Sequence, residues 1–334
     1  MAMQNSILSQ PILRKIWMAL GLVFVCLANV GLAQNKNGLV EEDTTFTLST
    51  PEVSTPASAR RVTALSVYDK TLQANLKTLL AEQHLLTMCR QERLAVSVAD
   101  ICDLDNPRYA GVNDHEMMYA ASLPKIAVLL TAFEMFEQGK LPKTQRNIDI
   151  LTAMIRHSSN VDASRAIAKV GFANILKTMR DPRYRLYEPN IGGLWIGKAF
   201  SKARTWRRDP IKNTVHGATS NSAARFYYML ERGELVSPQA SKEMKAILGN
   251  PALNHKFVKG MHTLPGPMKI YRKSGTWSIY QSDSALIKHN GHTYVAAALA
   301  ESSRGEAILQ KLIVGIDRMI DNLHEPGVGQ TNGR

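Results

Sequence analysis

The sequence predicts an α+β fold: an antiparallel sheet flanked by helices, as in an α/β sandwich, joined to an all-helical lobe. Three observations predict it. Alternating, β-rich segments stand near both ends of the patterned region, around residues 94–99 and 269–299. Helical patterning fills the interval between them. Amphipathic helical patterns also open and close the region, so the two strand sets can join in one sheet with helices packed on it. The chain has 334 residues, 45% of them apolar, enough for one large domain or two modest lobes. No period marks a repeat protein.

In chain order, apolar residues at helical spacing (Leu65, Val67, Leu72, Leu76, Leu79, Leu80) predict a helix over 62–86. Residues 94–99 alternate and read as a strand. A polar turn at 103–107 and a second extended segment lead to Ser122. Pro124 suits a first helical turn, because proline lacks a backbone donor that would be unpaired there anyway. A helix is therefore expected from about Ser122 to about 137, ending near Gly139. Helical stretches over 147–156 and 161–170 flank the turn Ser158-Ser159-Asn160, and Gly171 closes the second. Residues 181–213 read as loop. Helices are expected again from Thr219 and over 237–248, with Pro238 at the start of the latter. Pro265-Gly266-Pro267 breaks the chain. Strands at 269–279, 284–289 and 293–299 follow, the last two joined through Asn290-Gly291, a strong hairpin signal. A helix over 305–323 closes the pattern.

Residues 1–33 read as an export signal: Arg14 and Lys15, an apolar core at 16–28, and the small-residue site Gly31-Leu32-Ala33 before Gln34. The alternative is an uncleaved anchor, since the apolar run is nearly long enough to span a bilayer. Residues 34–60 are rich in Asn, Glu, Thr, Ser and Pro and read as a disordered leader. The folded domain is then 61–324, with a flexible tail at 325–334. A periplasmic or secreted location is expected, with no membrane contact once the signal is removed.

Net charge is +13, much of it between Lys177 and Lys212. With an export signal and no nucleic-acid motif, that patch reads as a solvated or wall-facing rim, not a nucleic-acid surface. Cys26 leaves with the signal. Cys89 and Cys102 remain, and an exported pair invites a disulfide. The strand between them holds them apart, which favours two buried thiols. No Cys/His cluster has metal-ligand spacing and the nine histidines are scattered, so neither metal nor cofactor is expected.

Three short signals carry the chemistry: Ser122-Leu123-Pro124-Lys125, then Ser158-Ser159-Asn160, then Lys273-Ser274-Gly275-Thr276. Taken singly they read as a helix-capping serine with a surface lysine, a capping turn and an ordinary edge strand. In this order, on a helix start, a turn and a strand, they match the S-x-x-K, S-x-N and K-[T/S]-G set of penicillin-recognising serine enzymes. From about residue 62 to 323 the chain resembles class A β-lactamases and their exported serine-hydrolase relatives. Met154-Ile155, Asp162-Ala163 and Thr219-Ser220 support the resemblance.

Nucleophilic catalysis explains these residue types. Ser122 must lose a proton to attack an amide carbonyl. Lys125 can accept that proton if burial and a second cation, Lys273, lower its pKa. Ser158 can pass a proton to the leaving nitrogen, and Asn160 can hold Lys125 and a substrate amide. Gly275 lets substrate lie along the strand edge. Lys273, Ser274 and Thr276 can receive a substrate carboxylate. By the resemblance, the oxyanion would lie between the backbone N–H groups of Ser122 and of Trp277 or Thr276.

The resemblance also implies a glutamate that activates water against the acyl-enzyme. Tyr187-Glu188-Pro189 offers Glu188; the alternative is a loop acid paired with Arg183 or Arg185. The loop beyond it, from Gly192 to Lys198, is unlike the usual one. The usual carboxylate-binding arginine is absent from the strand, where Asp283 lies instead, and Arg304 is the candidate replacement.

The expected activity is hydrolysis of a β-lactam amide through an acyl-enzyme on Ser122. Its alternatives are a D-alanyl-D-alanine peptidase or another amidase or esterase, and a catalytically silent wall-binding domain. The expected partner is a small β-lactam or a peptidoglycan-like peptide, bound by a monomer.

Overall fold

A computed structural model describes residues 65–325. The signal, the leader and nearly all of the tail expected from the sequence lie outside these residues. Among the described residues no helix is long and apolar enough to cross a membrane.

The first helix, α1 (Lys70–Glu82), is shorter than its pattern implied. Asp69 accepts a bond from the Leu72 N–H at 2.7 Å and sets the start. At the other end His84 takes φ +59°, which breaks the run before a short α2 (Leu86–Arg90). β1 (Leu94–Asp100), β2 (Arg108–Val112) and β3 (Met118–Tyr119) lead to α3 (Lys125–Glu137). α4 (Gln145–Arg156), α5 (Asn160–Val170) and α6 (Phe172–Met179) complete the first part of the helical lobe.

The interval expected as loop carries four short strands: β4 (Tyr187–Glu188), β5 (Gly192–Gly193), β6 (Trp195–Ile196) and β7 (His216–Ala218). α7 (Ser220–Arg232), α8 (Pro238–Leu248) and a short α9 (Lys256–Met261) follow. The chain then makes the meander β8 (Met268–Trp277), β9 (Tyr280–His289) and β10 (His292–Glu301), and closes with α10 (Gly305–His324).

The strands from the two ends of the chain do join. One five-stranded sheet has the order β2-β1-β10-β9-β8, antiparallel throughout. Asn290 and Gly291 take φ +48° and +80°, the left-handed pair that a two-residue hairpin requires. The β8–β9 hairpin turns earlier than expected, at Ser278-Ile279, because Trp277 pairs with Tyr280 and Ser278 takes φ +50°.

Both sheet faces are buried, and the period-2 alternation divides them. Leu94, Val96 and Val98 of β1 join Tyr294, Ala296 and Ala298 of β10 in a core with Leu72, Leu76, Leu309 and Ile313 of α1 and α10. The alternate residues Ala95, Ala99, Val295, Ala297 and Leu299 face the helical lobe. The alanine-rich β10 lets helices approach closely from both sides. α3 is buried almost all round, from Lys125 through Glu134, as a helix inside a lobe must be.

Cys89 is buried and Cys102 exposed, and both are free thiols. The expectation of two buried thiols therefore fails at Cys102.

Candidate active site

The segment before Ser122 is gripped from two sides. The Ala120 N–H donates to the His216 carbonyl of β7 at 2.8 Å, and the Ala120 carbonyl accepts the Ser282 hydroxyl of β9 at 2.8 Å. Between these grips Ala121 is forced to φ +49°, a left-handed conformation that costs an alanine about 1–2 kcal/mol. The strained turn lifts Ser122 out at the head of α3. Helical geometry itself begins at Lys125, and its N–H bonds the Ser122 carbonyl at 3.3 Å.

Strand β8 runs beside this turn. A Cβ on Gly275 would lie 2.2 Å from the Ala120 carbonyl oxygen and 2.6 Å from the Ser122 nitrogen, so only glycine fits. β8 is an outer strand of the sheet, so half of its backbone donors and acceptors face away from β9. Thr276 and Trp277 line the cleft with Ser122 and Asn160.

Lys125 is completely buried. Its Nζ donates to the Ser158 carbonyl at 2.7 Å and to Asn160 Oδ1 at 2.9 Å, with the Ser159 carbonyl at 3.4 Å. Burial lowers its pKa to about 7. A neutral amine has two N–H groups and one lone pair. The two short bonds use both N–H groups, which leaves the lone pair for a proton.

Ser158 takes φ +54°, held there by the Lys125 bond to its carbonyl. Lys273 Nζ donates to the Ser158 hydroxyl at 2.9 Å and to the Ser274 carbonyl at 2.5 Å. Burial first, then the nearby Lys125 charge, pushes Lys273 well below the usual lysine range. Ser159, the middle residue of the turn, is the cap: its hydroxyl accepts the Asp162 N–H at 3.1 Å.

Ser122, Lys125, Ser158, Asn160, Lys273, Gly275 and Thr276 thus come together, while the buried Ser274 joins them through its carbonyl and turns its hydroxyl to His255 at 3.4 Å. Glu188 does not join them. Arg185 Nη2 bonds both of its carboxylate oxygens at 2.9 Å, and Arg225 of α7 lies 3.8 Å away. The polar partners of Lys125 are the 158–160 turn and not Glu188, whose carboxylate is paired as in the alternative reading of a loop acid held by Arg185. Phe200 stands near Lys125 instead, with Nζ 4.4 Å above its ring centre. Phe200 stacks on His216 at 4.1 Å, and burial lowers the His216 pKa to about 4. Arg304 is exposed at the head of α10, outside the cleft lining, and Asp283 is buried against Arg272 at 2.7 Å.

Three features escaped sequence reading. Phe200 and His216 roof the lysine, and both lie in the interval read as loop or helix approach. Lys256 is fully buried beneath β8, where its Nζ donates to the Gly275 carbonyl at 2.5 Å and to Thr276 Oγ1 at 2.7 Å. Nothing in the surrounding sequence distinguishes it from a surface lysine. The basic segment is only partly a rim: Lys198, Lys202, Arg208 and Lys212 line the cleft, whose volume is about 1020 Å³. Tyr119 and Tyr280 meet edge to face at 5.1 Å on its wall.

A serine at a strained helix head, between a helical lobe and an antiparallel sheet and served by two buried lysines, defines the class of penicillin-recognising serine enzymes. The model of the β-lactamase enzyme family matches residues 83–148 and 142–322, and the chain belongs to that family. Solved structures share the fold at low identity. The β-lactamase of Sphaerobacter thermophilus superposes with TM-score 0.59 at 14% identity, over 76% of this chain and 99% of that one. TLA-3 extended-spectrum β-lactamase gives 0.58 at 15%, over 75% and 98%. PBP-A gives 0.56 at 18%, over 76% and 97%. No curated protein matches the chain.

Proposed function

We propose that this protein is an exported serine hydrolase that opens β-lactam amides through an acyl-enzyme on Ser122. The observation that carries the reading is the buried Lys125, its pKa lowered to about 7 by burial and its Nζ held by the 158–160 turn, one turn from Ser122. Lys125 takes the Ser122 proton as Oγ bonds the carbonyl carbon. The C–N bond breaks and its electron pair takes a proton through Ser158, whose hydroxyl is oriented by Lys273. The Ser122 N–H and a backbone N–H of β8 hold the oxyanion. Lys273 and Thr276 hold the substrate carboxylate. Water then attacks the ester carbon, Ser122 regains its proton and the acid departs. The export signal read in residues 1–33 supports a periplasmic or secreted location for this chemistry.

The test is intact mass spectrometry of the purified protein after penicillin treatment. An adduct of one penicillin is expected, absent in Ser122→Ala. No adduct, together with no hydrolysis of any ester, overturns the reading and leaves a silent wall-binding domain.

A second reading, a D-alanyl-D-alanine peptidase or another amidase or esterase, is favoured by the pairing of Glu188 with Arg185 and by Phe200 beside Lys125. It predicts a lasting adduct. A steady-state nitrocefin rate separates the two.

A further inference from the structure

At the end of the sheet away from the cleft, three side chains distant in sequence converge. Cys102 follows β1, His292 opens β10 and His324 ends α10. One ligand atom from each lies within 4.8 Å of the others. β10 separates this cluster from the cleft. Glu301, at its far end, lines the cleft, and ten extended residues span about 30 Å.

The three side chains are close enough to converge on one ion. His292 Nδ1 lies 4.0 Å from Cys102 Sγ, while its other nitrogen, Nε2, faces Asp321 Oδ1 at 3.6 Å. His324 Nε2 bonds Asp100 Oδ2 at 2.8 Å, which leaves its Nδ1 free. The two rings stack at 4.6 Å with planes 18° apart, so one imidazole must turn about its Cβ–Cγ bond before both nitrogens face one ion. Asp100 is buried and also accepts the Cys102 N–H at 3.1 Å, so one carboxylate fixes two of the three residues. The Thr293 N–H donates to Cys102 Sγ at 3.3 Å, and the thiol faces the Thr293 carbonyl at 3.7 Å, so the backbone of β10 fixes where the sulfur sits. A carboxylate behind each imidazole is the usual outer shell of a metal-bound histidine. Tetrahedral zinc sets sulfur and nitrogen ligands about 3.5 Å apart; Cys102 and His292 are close to that at 4.0 Å, and His324 closes the set from within 4.8 Å by a side-chain rotation.

We propose that Cys102, His292 and His324 bind one zinc ion, with solvent at the fourth position. The Cys102 proton leaves to solvent as sulfur takes the metal. The ion ties the last turn of α10 to β1 and β10, so its role is to fasten the chain end and not to serve Ser122.

The test uses chelator-treated full-length protein. After addition of zinc and gel filtration, one zinc per chain is expected by elemental mass spectrometry, with a higher melting temperature. Cobalt should give a thiolate charge-transfer absorption. Cys102→Ser changes an exposed residue, so its circular dichroism should match the parent while zinc retention and the cobalt band are lost. Asp100→Asn should weaken zinc about 10- to 100-fold. The rate of penicillin acylation should be unchanged by zinc. No stoichiometric zinc on the parent, or equal retention by Cys102→Ser, overturns the proposal.

Discussion

Lys273 donates to the Ser158 hydroxyl at 2.9 Å while Lys125 holds the carbonyl of the same serine at 2.7 Å. One residue in a left-handed turn therefore joins two buried amines. Neither contact survives if the turn relaxes. Ser158→Ala keeps the backbone bond and removes the hydroxyl, so acylation should slow by about 10²–10⁴-fold with folding intact. Stopped-flow acylation by a chromogenic cephalosporin measures it; an unchanged rate would remove Ser158 from the proton path.

Lys125 must be unprotonated to act as a base. Its pKa of about 7 means that acylation should rise with pH and level off above that value, falling about tenfold per unit on the acid side. Lys125→Arg, which cannot lose its proton, should abolish the profile together with the activity. A flat acylation rate between about pH 5.5 and 8.5 would contradict a lysine base.

Glu188→Gln should leave acylation and turnover within about twofold, because the carboxylate is tied to Arg185 with Arg225 beside it. A deacylation base would instead cost about 10²–10⁴-fold and trap the adduct. Parallel nitrocefin rates and adduct lifetimes decide between them.

Gly275→Ala drives a methyl group against the Ala120 carbonyl and the Ser122 amide. The oxyanion donor at Ser122 must move, and loss of one such donor costs about 10²–10³-fold in rate. Circular dichroism should stay native, which separates the effect from unfolding.

His289 is buried on the opposite side of the sheet from the helical lobe. Its Nδ1 faces the Asp317 carboxylate at 3.0 Å and its Nε2 the Pro265 carbonyl at 2.9 Å. Burial pushes its pKa down, but the Pro265 carbonyl and the Asp317 charge outweigh burial and raise it above 6.5. A raised folded-state pKa stabilises the fold below the unfolded value, and this contribution is lost as pH climbs through the folded one. The melting-temperature difference between the parent and His289→Gln should therefore shrink from about pH 6 to pH 8, on top of a rise with pH that both proteins share through the buried, lowered Lys125 and Lys273.

Much of this was legible in the sequence because it is written in local chemistry. Asn290-Gly291 dictates a hairpin, and Thr219 and Ser237 cap the helices expected after them. The three motifs converge because each sits on an element its own neighbours specify. The rest depends on partners far along the chain. Gly171 closes α5 and opens α6 at φ +77°, so a stop signal concealed a second helix. Glu188 occupies the expected interval, yet Arg185 and Arg225 claim its carboxylate. Cys102 and His292 meet only because the β1–β10 register carries on into the Ile101 N–H bond to the Thr293 carbonyl, at 3.0 Å. No spacing rule reveals that meeting.

The cationic lining has a kinetic consequence. Arg93, Lys198, Lys202, Arg208 and Lys212 outnumber Glu92, Glu116 and Glu301 on the walls, Lys212 being paired with Glu116, and this positive excess draws carboxylate-bearing molecules towards Ser122. In the proposed reaction, ring opening followed by hydrolysis leaves a second carboxylate on the product. The walls that hasten capture therefore detain what has been cut, and discharge competes with chemistry for the slow step. Added salt then acts in opposite senses, thinning arrivals at scarce substrate and freeing departures at saturation.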